Sequence, residues 1–170
     1  MLTSKEVIEI LNLKPHPAEG GFFSETYRCD ESLSRSALPE RYLSERSFGT
    51  AIYYMLTPET FSMMHRLASD EIFHFYLGDP LEMLQLFPDG SGRLLTIGPD
   101  IAGGMHLQVT VPRGVWQGMR LVSGGKFGLV GTTVAPGFEF ADYEEGARGE
   151  LCLKFPEFKD KIISRTHERK

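Results

Sequence analysis

The chain has 170 residues, of which 41% are hydrophobic, and a formal net charge of −5. This length can bury one substantial core but is too short for two comfortable domains, so we expect a single domain over residues 1–170. The acidic balance disfavours nucleic-acid binding, which needs a basic face, and no apolar run is long enough to span a membrane. Two cysteines without metal-ligand spacing, and the lack of a secretory signal, predict a cytoplasmic protein with free thiols.

A short helix is predicted first, over residues 3–13. Thr3 and Glu6 have the spacing of a capping box, and Val7 and Leu11 lie on one apolar face. Two prolines follow and end the helix, because proline lacks the backbone N–H that a helix interior needs.

Residues 20–131 have the pattern of many short strands, since runs of aromatic and β-branched residues alternate with glycine and proline. Asp89-Gly90 predicts a hairpin turn, because these residues tolerate positive φ. Such spacing is typical of an antiparallel sandwich or barrel, so we predict an all-β fold with short terminal helices. The predicted strands are residues 22–28, 48–56, 63–67, 71–77, 81–87, 93–97, 106–111, 115–122 and 126–133.

Three segments lie outside these strands. Residues 30–46 are polar, and we expect a lid or an edge cover there. Residues 139–150 alternate aromatic and acidic side chains, which predicts a half-exposed edge strand followed by a loop, and residues 155–163 are predicted to form a helix. The expected anchors of the first segment are Leu33, Leu38, Tyr42 and Leu43.

The stretch 63–78 holds the most informative polar residues. It is predicted to form a hairpin in which His65 and Leu67 share one face of the first strand and Glu71 begins the second. If that face points inward, His65 and Glu71 meet inside a barrel. Aromatic residues continue the face beyond Glu71, namely Phe73 and Phe75.

These residues resemble the two general motifs of the cupin superfamily. His65, Glu71 and Gly78 have the spacing of the first motif, in which Leu67 replaces a second histidine. Residues 112–117 match the second motif, Pro-x-Gly-x-x-His, except that Gln117 replaces its histidine. Two of the four usual metal-ligand positions therefore lack imidazole.

The sequences of three stretches are similar to the signature sequences of one cupin group, which was long labelled a domain of unknown function. These stretches are residues 16–28, 69–80 and 111–117. The resemblance implies a jelly-roll barrel, a homodimer, and a pocket without an agreed substrate. The group is also distantly similar to the nucleotide-sugar epimerases of the rhamnose pathway, which share the barrel and need no metal.

The candidate catalytic residues form two acid–base pairs. A histidine beside a buried carboxylate can titrate near neutrality, so His65 and Glu71 suit proton abstraction next to a carbonyl. Tyr27 and Glu25 add a phenol–carboxylate pair if the first strand also faces inward. The candidate ligand-binding residues are Gln117, Phe73, Phe75 and Arg28, the arginine being suited to an anion.

Three functions remain open from the sequence. The favoured one is binding of a small polar metabolite, with isomerisation or epimerisation of a sugar-type substrate that needs no metal. The second is a metal-dependent oxygenase or lyase with a divalent cation held by His65, Glu71 and Gln117. The third is a non-catalytic binding or structural protein in which these polar residues satisfy one another.

Overall fold

The computed structural model describes residues 2–168. In chain order the strands are β1 (Lys14–Pro15), β2 (Phe22–Arg28), β3 (Ser32–Leu33), β4 (Arg46–Ser47), β5 (Thr50–Leu56), β6 (Phe61–Arg66), β7 (Asp70–Gly78), β8 (Leu81–Leu86), β9 (Gly92–Ile97), β10 (Gln108–Val111), β11 (Trp116–Leu121), β12 (Gly128–Ala135) and β13 (Glu144–Glu145). Six of them form one sheet in the order β1-β2-β5-β12-β7-β10, five form a second in the order β13-β6-β11-β8-β9, and β3 pairs with β4. All these pairings are antiparallel, so the predicted all-β fold is confirmed.

The two large sheets face each other and enclose the main core. Alternate residues along each strand point inward, and they include Tyr54, Phe73, Met83, Met119 and Val130. All five are nearly or fully buried, and burying one such side chain stabilises the fold by about 1.5–3 kcal/mol. The sandwich is therefore held mainly by apolar contacts between the sheets.

Three α-helices cover the outer faces. Helix α1 (Ser4–Ile10) has the predicted capping box, in which the Thr3 hydroxyl accepts from the Glu6 backbone N–H and the Glu6 carboxylate accepts from the Thr3 N–H. Its Val7 packs on the outer face of the six-stranded sheet. Helices α2 (Arg148–Lys154) and α3 (Lys159–Ile163) cover the other sheet. No helix among residues 2–168 has the length and hydropathy needed to cross a membrane.

Helix α2 corrects the predicted loop at residues 139–150. That region contains a two-residue edge strand, β13, and then a helix that the acidic pattern did not indicate. A helix of seven residues gains little from local propensity. It is formed because Leu151 packs against Met64 and Leu84 on the outer face of the five-stranded sheet.

The predicted hairpin between residues 63 and 78 is also wrong. Strand β6 pairs with β11 and β13, whereas β7 pairs with β10 and β12 in the opposite sheet. The chain crosses from one sheet to the other over residues 67–69. His65 and Glu71 therefore face each other across the sandwich instead of lying on paired neighbours.

Residues 30–46 form a strap beside this crossing. Tyr42 is fully buried and its hydroxyl lies 2.8 Å from Ser69 Oγ, so it is an anchor as predicted. Leu43 is 77% exposed and is not an anchor. The strap ends at Arg46, whose guanidinium is fully buried.

Candidate functional site

A cavity opens between the two sheets at the end of the barrel where β6 crosses to β7. Water-molecule centres can occupy about 80 Å³ of it, which is room for several waters or a small polar ligand. Its walls come from the six-stranded sheet, from the turn before β2 and from the segment after β12. The lining residues are His16, Glu19, Phe23, Glu25, Arg28, Thr50, Ile52, Leu67, Glu71, Thr132, Val134, Phe138, Glu139 and Phe140.

A β-bulge in β2 separates Tyr27 from the cavity. Glu25 pairs with Ile52 and Tyr27 pairs with Ala51, which leaves Thr26 as the extra residue. Paired residues share a face and neighbours along a strand alternate, so Tyr27 turns away from Glu25. Tyr27 is 54% exposed, and the predicted Tyr27–Glu25 pair does not form on one face.

The same bulge returns Arg28 to the cavity face. Arg28 lies opposite Thr50, and both line the cavity. Its Nε and Nη2 donate to the Glu25 carboxylate at 3.1 and 2.9 Å, and its Nη1 donates to Glu139 at 2.8 Å. Nη2 also donates to the Phe138 carbonyl. Arg28, which was predicted to bind an anionic ligand, is therefore already paired with the carboxylates of Glu25 and Glu139.

His65, Gln117 and Glu71 form a buried polar cluster between the sheets. The Gln117 amide nitrogen lies 3.2 Å from His65 Nε2 and donates to Glu71 Oε2 at 2.5 Å. The three residues are 1%, 2% and 7% exposed, in the order His65, Gln117, Glu71. Only Glu71 lines the cavity, so His65 and Gln117 lie behind it and hold it in place.

Hydrogen bonds indicate the tautomer of His65. Its Nδ1 lies 2.7 Å from the Met63 carbonyl, which can only accept, so Nδ1 carries the proton. Nε2 is then an acceptor, and one Gln117 amide hydrogen points at it while the other points at Glu71. A single amide group thus links the imidazole and the carboxylate.

His16 and Glu19, which lie in the first family-like stretch but were not predicted as site residues, form a second polar group in the cavity wall. The His16 Nδ1 accepts the backbone N–H groups of Glu19 at 2.8 Å and Ala18 at 3.3 Å. Nε2 therefore carries the proton in the neutral ring, and it lies 3.8 Å from Glu19 Oε1. His16 therefore stabilises the turn over residues 16–19, and its ring also lines the cavity.

Two tertiary contacts place Glu19 beside the buried cluster. The Glu19 carbonyl accepts from the Met63 N–H of β6, and the Tyr54 hydroxyl donates to the neighbouring Gly20 carbonyl. Glu19 Oε1 lies 3.8 Å from His65 Nε2. No sequence spacing could indicate this approach, because residues 19 and 65 belong to segments far apart in the chain.

Residues 138–143, which we call the cover segment, close one side of the site. Phe138, Glu139 and Phe140 line the cavity, and Tyr143 stacks on His65 with ring centroids 5.1 Å apart. The Tyr143 hydroxyl is buried and has no hydrogen-bond partner among residues 2–168. After this segment β13 pairs with β6 beside His65.

Burial shifts the pKa of four groups in and beside the cavity, those of Glu19, Glu71, His16 and His65. Burial and the Glu19 charge raise the pKa of Glu71 to about 7, against opposing effects of His65, Gln117 and Thr132. Burial also raises the pKa of Glu19, partly offset by His16. Burial lowers the pKa of both His16 and His65. Near neutral pH both imidazoles are therefore neutral, and Glu71, whose pKa lies at about 7, is present in both its protonated and its ionised form.

Phe73 and Phe75, the two aromatic residues predicted to bind a ligand, lie away from the cavity. Phe73 is 4% exposed and belongs to the main core, and the half-buried Phe75 packs against the same core. Phe23, Phe138 and Phe140 provide the phenyl rings of the cavity instead.

The donor set does not fit a divalent cation as it stands. Residues 2–168 contain no group of three His, Cys, Asp or Glu side chains that could hold one. Gln117 turns its amide nitrogen, not its oxygen, toward His65 and Glu71. His16 uses Nδ1 as an acceptor, so its Nε2 is protonated and is no ligand.

Restoring the two missing imidazoles should create a metal site. We expect Leu67→His with Gln117→His to raise affinity for Mn²⁺ or Ni²⁺ at least about tenfold, because Leu67 lines the cavity beside Glu71 and position 117 faces His65. Calorimetric titration of the chelator-treated variant and wild type measures this. Equal affinities would show that these positions do not converge on one metal.

The facing antiparallel sheets define a jelly-roll barrel of the cupin type. Residues 5–145 match the family described as Cupin superfamily (DUF985), and the chain belongs to that family.

Relatives of known structure share the whole fold. A Shewanella oneidensis protein, SO0799, is 30% identical with a TM-score of 0.88, covering 99% of this chain and 100% of that one. A hypothetical Leishmania major protein is 30% identical with a TM-score of 0.87, covering 98% and 100%. The oxalate decarboxylase of Bacillus subtilis, 12% identical with a TM-score of 0.54 and covering 94% and 38%, shares the fold alone.

A Saccharomyces cerevisiae relative, the uncharacterized protein YML079W, is 28% identical over 133 residues. The match covers 74% of this chain and 66% of the yeast protein, so this chain spans slightly less than two thirds of that relative.

Proposed function

We propose that the cavity binds a small polar metabolite of the sugar type and isomerises or epimerises it by proton transfer. The observation that carries the proposal is the pair of carboxylates that line one cavity, the buried Glu71 and the partly buried Glu19. The pKa of each is raised by burial, that of Glu71 to about 7. A catalytic acid or base works best when its pKa lies near the working pH.

The chemistry needs one base and one acid. For isomerisation, the ionised carboxylate removes a proton from the carbon next to a carbonyl, and the C–H electron pair forms the C=C bond of an enediol as the other carboxyl group gives its proton to the carbonyl oxygen. The first carboxyl group then returns its proton to the former carbonyl carbon, while the other takes the proton of the neighbouring hydroxyl, whose oxygen becomes the new carbonyl. For epimerisation, the other carboxyl group instead gives its proton to the opposite face of the carbon that lost one, and the enolate electrons form the new C–H bond as the C=O bond forms again. Such positioned proton transfer contributes roughly 10²–10⁴-fold in rate.

His65 and Gln117 act as positioning residues in this scheme. Gln117 donates a hydrogen bond to Glu71, His65 accepts one from Gln117 and so fixes the amide, and Tyr143 covers the imidazole. Leu67, Phe23 and Ile52 form the apolar part of the wall and limit water around the carboxylates.

Solvent deuterium exchange tests the proposal. We expect wild-type protein in D₂O to exchange the C–H next to the carbonyl in at least one member of a panel of aldoses and ketoses. Glu71→Gln should slow this exchange about 100-fold, because the amide cannot take up or release the proton. Proton NMR measures the rate.

The same substitution at an exposed carboxylate, Glu59→Gln, is the matched control and should leave the rate unchanged. Exchange that persists in both Glu71→Gln and Glu19→Gln would contradict the assignment of these two groups.

Binding without turnover is the second candidate. It is favoured by the closure of the polar cluster, in which Gln117 supplies a hydrogen to both His65 and Glu71 without a ligand. A ligand that raises the melting temperature but exchanges no deuterium would select this function, since any ligand of the folded state stabilises it.

The expectations of a cytoplasmic location and a homodimer stay predictions. Tyr76 and Leu77 are exposed on the outer face of the six-stranded sheet beside Ile10 of α1, which supports association through this face. Sedimentation equilibrium measures the oligomeric state.

A further inference from the structure

The charges in the cavity wall are strongly unequal. Four carboxylates line it, those of Glu19, Glu25, Glu71 and Glu139. Arg28 is the one lysine or arginine among the lining residues. Even with Glu71 protonated, three carboxylates face one guanidinium, so the wall carries an excess of negative charge.

The hydrogen bonds of Arg28 leave it little capacity for an anion. A guanidinium has five N–H donors. Arg28 directs two of them to the Glu25 carboxylate, one to Glu139 and one to the Phe138 carbonyl. One N–H is left, so an anionic ligand that binds through two hydrogen bonds would have to displace one of these carboxylates from Arg28.

Acceptors, by contrast, remain available. Within residues 2–168 no group donates a hydrogen bond to the Glu19 carboxylate, and its Oε1 lies 3.8 Å from Nε2 of both His16 and His65. Arg28 contacts Glu139 through Oε1 alone. A ligand rich in N–H groups would satisfy these oxygens, whereas a ligand carboxylate or phosphate would be repelled by them.

Aromatic rings complete the wall on the side of the cover segment. Phe138 and Phe140 meet edge to face with centroids 5.2 Å apart, and Phe23 packs against the His16 ring at 4.6 Å. The negative faces of such rings attract organic cations, with a strength that grows as water is excluded.

We propose that the ligand of this cavity carries a protonated amino group, which binds between the Glu139 carboxylate and the rings of the cover segment. The inference rests on the proposed function in one respect, that this cavity is the ligand site. It narrows the substrate class to small amino-hydroxy compounds and excludes phosphorylated or nucleotide-linked sugars.

Three small probes of similar size and different charge separate the effect of charge from that of shape. Ethanolammonium, ethylene glycol and glycolate are titrated at constant ionic strength, and amide shifts of Thr132 and Val134 in β12 report binding by NMR. We expect saturable binding of ethanolammonium with a Kd at least about tenfold lower than that of glycolate, and ethylene glycol between them. Equal or tighter binding of glycolate, or no saturable shift with ethanolammonium, would overturn the proposal.

Variants test independently whether the cavity prefers a cationic or an anionic ligand. Glu139→Gln should weaken ethanolammonium binding several-fold, whereas Glu59→Gln, the same change at an exposed site, should leave it unaltered. Arg28→Met should keep or tighten ethanolammonium binding, because it removes the competing cation. Loss of glycolate binding in Arg28→Met, together with unchanged ethanolammonium binding in Glu139→Gln, would show an anion clamp and refute the inference.

The outcome is separable from the proposed function. Deuterium exchange into a neutral sugar without ethanolammonium binding would overturn the amino-ligand inference alone. Ethanolammonium binding without exchange into any amino or neutral sugar would overturn the isomerase proposal alone.

Discussion

Arg46→Ala should destabilise the protein by about 3–5 kcal/mol, the usual cost of removing one partner of a buried ion pair. Arg46 and Asp142 are 0% and 4% exposed, and two parallel hydrogen bonds of 2.9 and 2.6 Å join them. The alanine variant leaves the Asp142 carboxylate buried without its cation. Urea unfolding followed by circular dichroism measures the loss.

The double variant Arg46→Met with Asp142→Leu distinguishes a lost pair from lost packing. Since apolar residues of similar volume replace buried ion pairs at little cost, the double variant should recover most of the stability. A double variant as unstable as Arg46→Ala would show that the contacts of Arg46 with Ser44 and Glu45 matter more.

The same pair anchors the cover segment, since Asp142 belongs to it and Arg46 ends the strap. Arg46→Ala should therefore also weaken ligand binding in the cavity, whereas a destabilising change elsewhere in the core should not.

The second large effect is a pH dependence of stability that Glu71 imposes. Its pKa is raised from an ordinary value near 4.5 to about 7, so between these values the folded protein holds a proton that the unfolded chain has lost. This contribution to stability is greatest at low pH and is lost as pH rises to about 7. The shift corresponds to roughly 3 kcal/mol, because one unit is about 1.4 kcal/mol.

Glu71→Gln removes that proton equilibrium. The free energy of unfolding of wild type minus that of the variant should fall by roughly 3 kcal/mol between pH 4 and pH 8. His65 acts in the opposite direction, since its lowered pKa costs stability below neutral pH, and it is present in both proteins. A difference between wild type and Glu71→Gln that stays constant over this pH range would contradict the raised pKa.

Structural features that depend on a single strand or turn could be predicted from the sequence. The capping box, the Asp89-Gly90 hairpin and nearly all the central strands follow from local spacing, and β2 was predicted to the residue. The inward position of Glu71 follows from period-two alternation along β7, where it shares a face with the core residue Phe73. Local rules failed at Tyr27, because one extra residue in β2 reverses the alternation.

The sequence by itself determined the class of fold and the polar residues at its centre, since strand spacing and the His65, Glu71 and Gln117 positions are properties of the chain. Only the tertiary structure decided which of them reach the cavity. The partners that decide it, Glu19 beside His65 and Glu139 on Arg28, come from distant segments. The physical reason is that burial and long-range pairing set both the pKa of Glu71 and the sign of the charge in the cavity, and neither depends on local sequence.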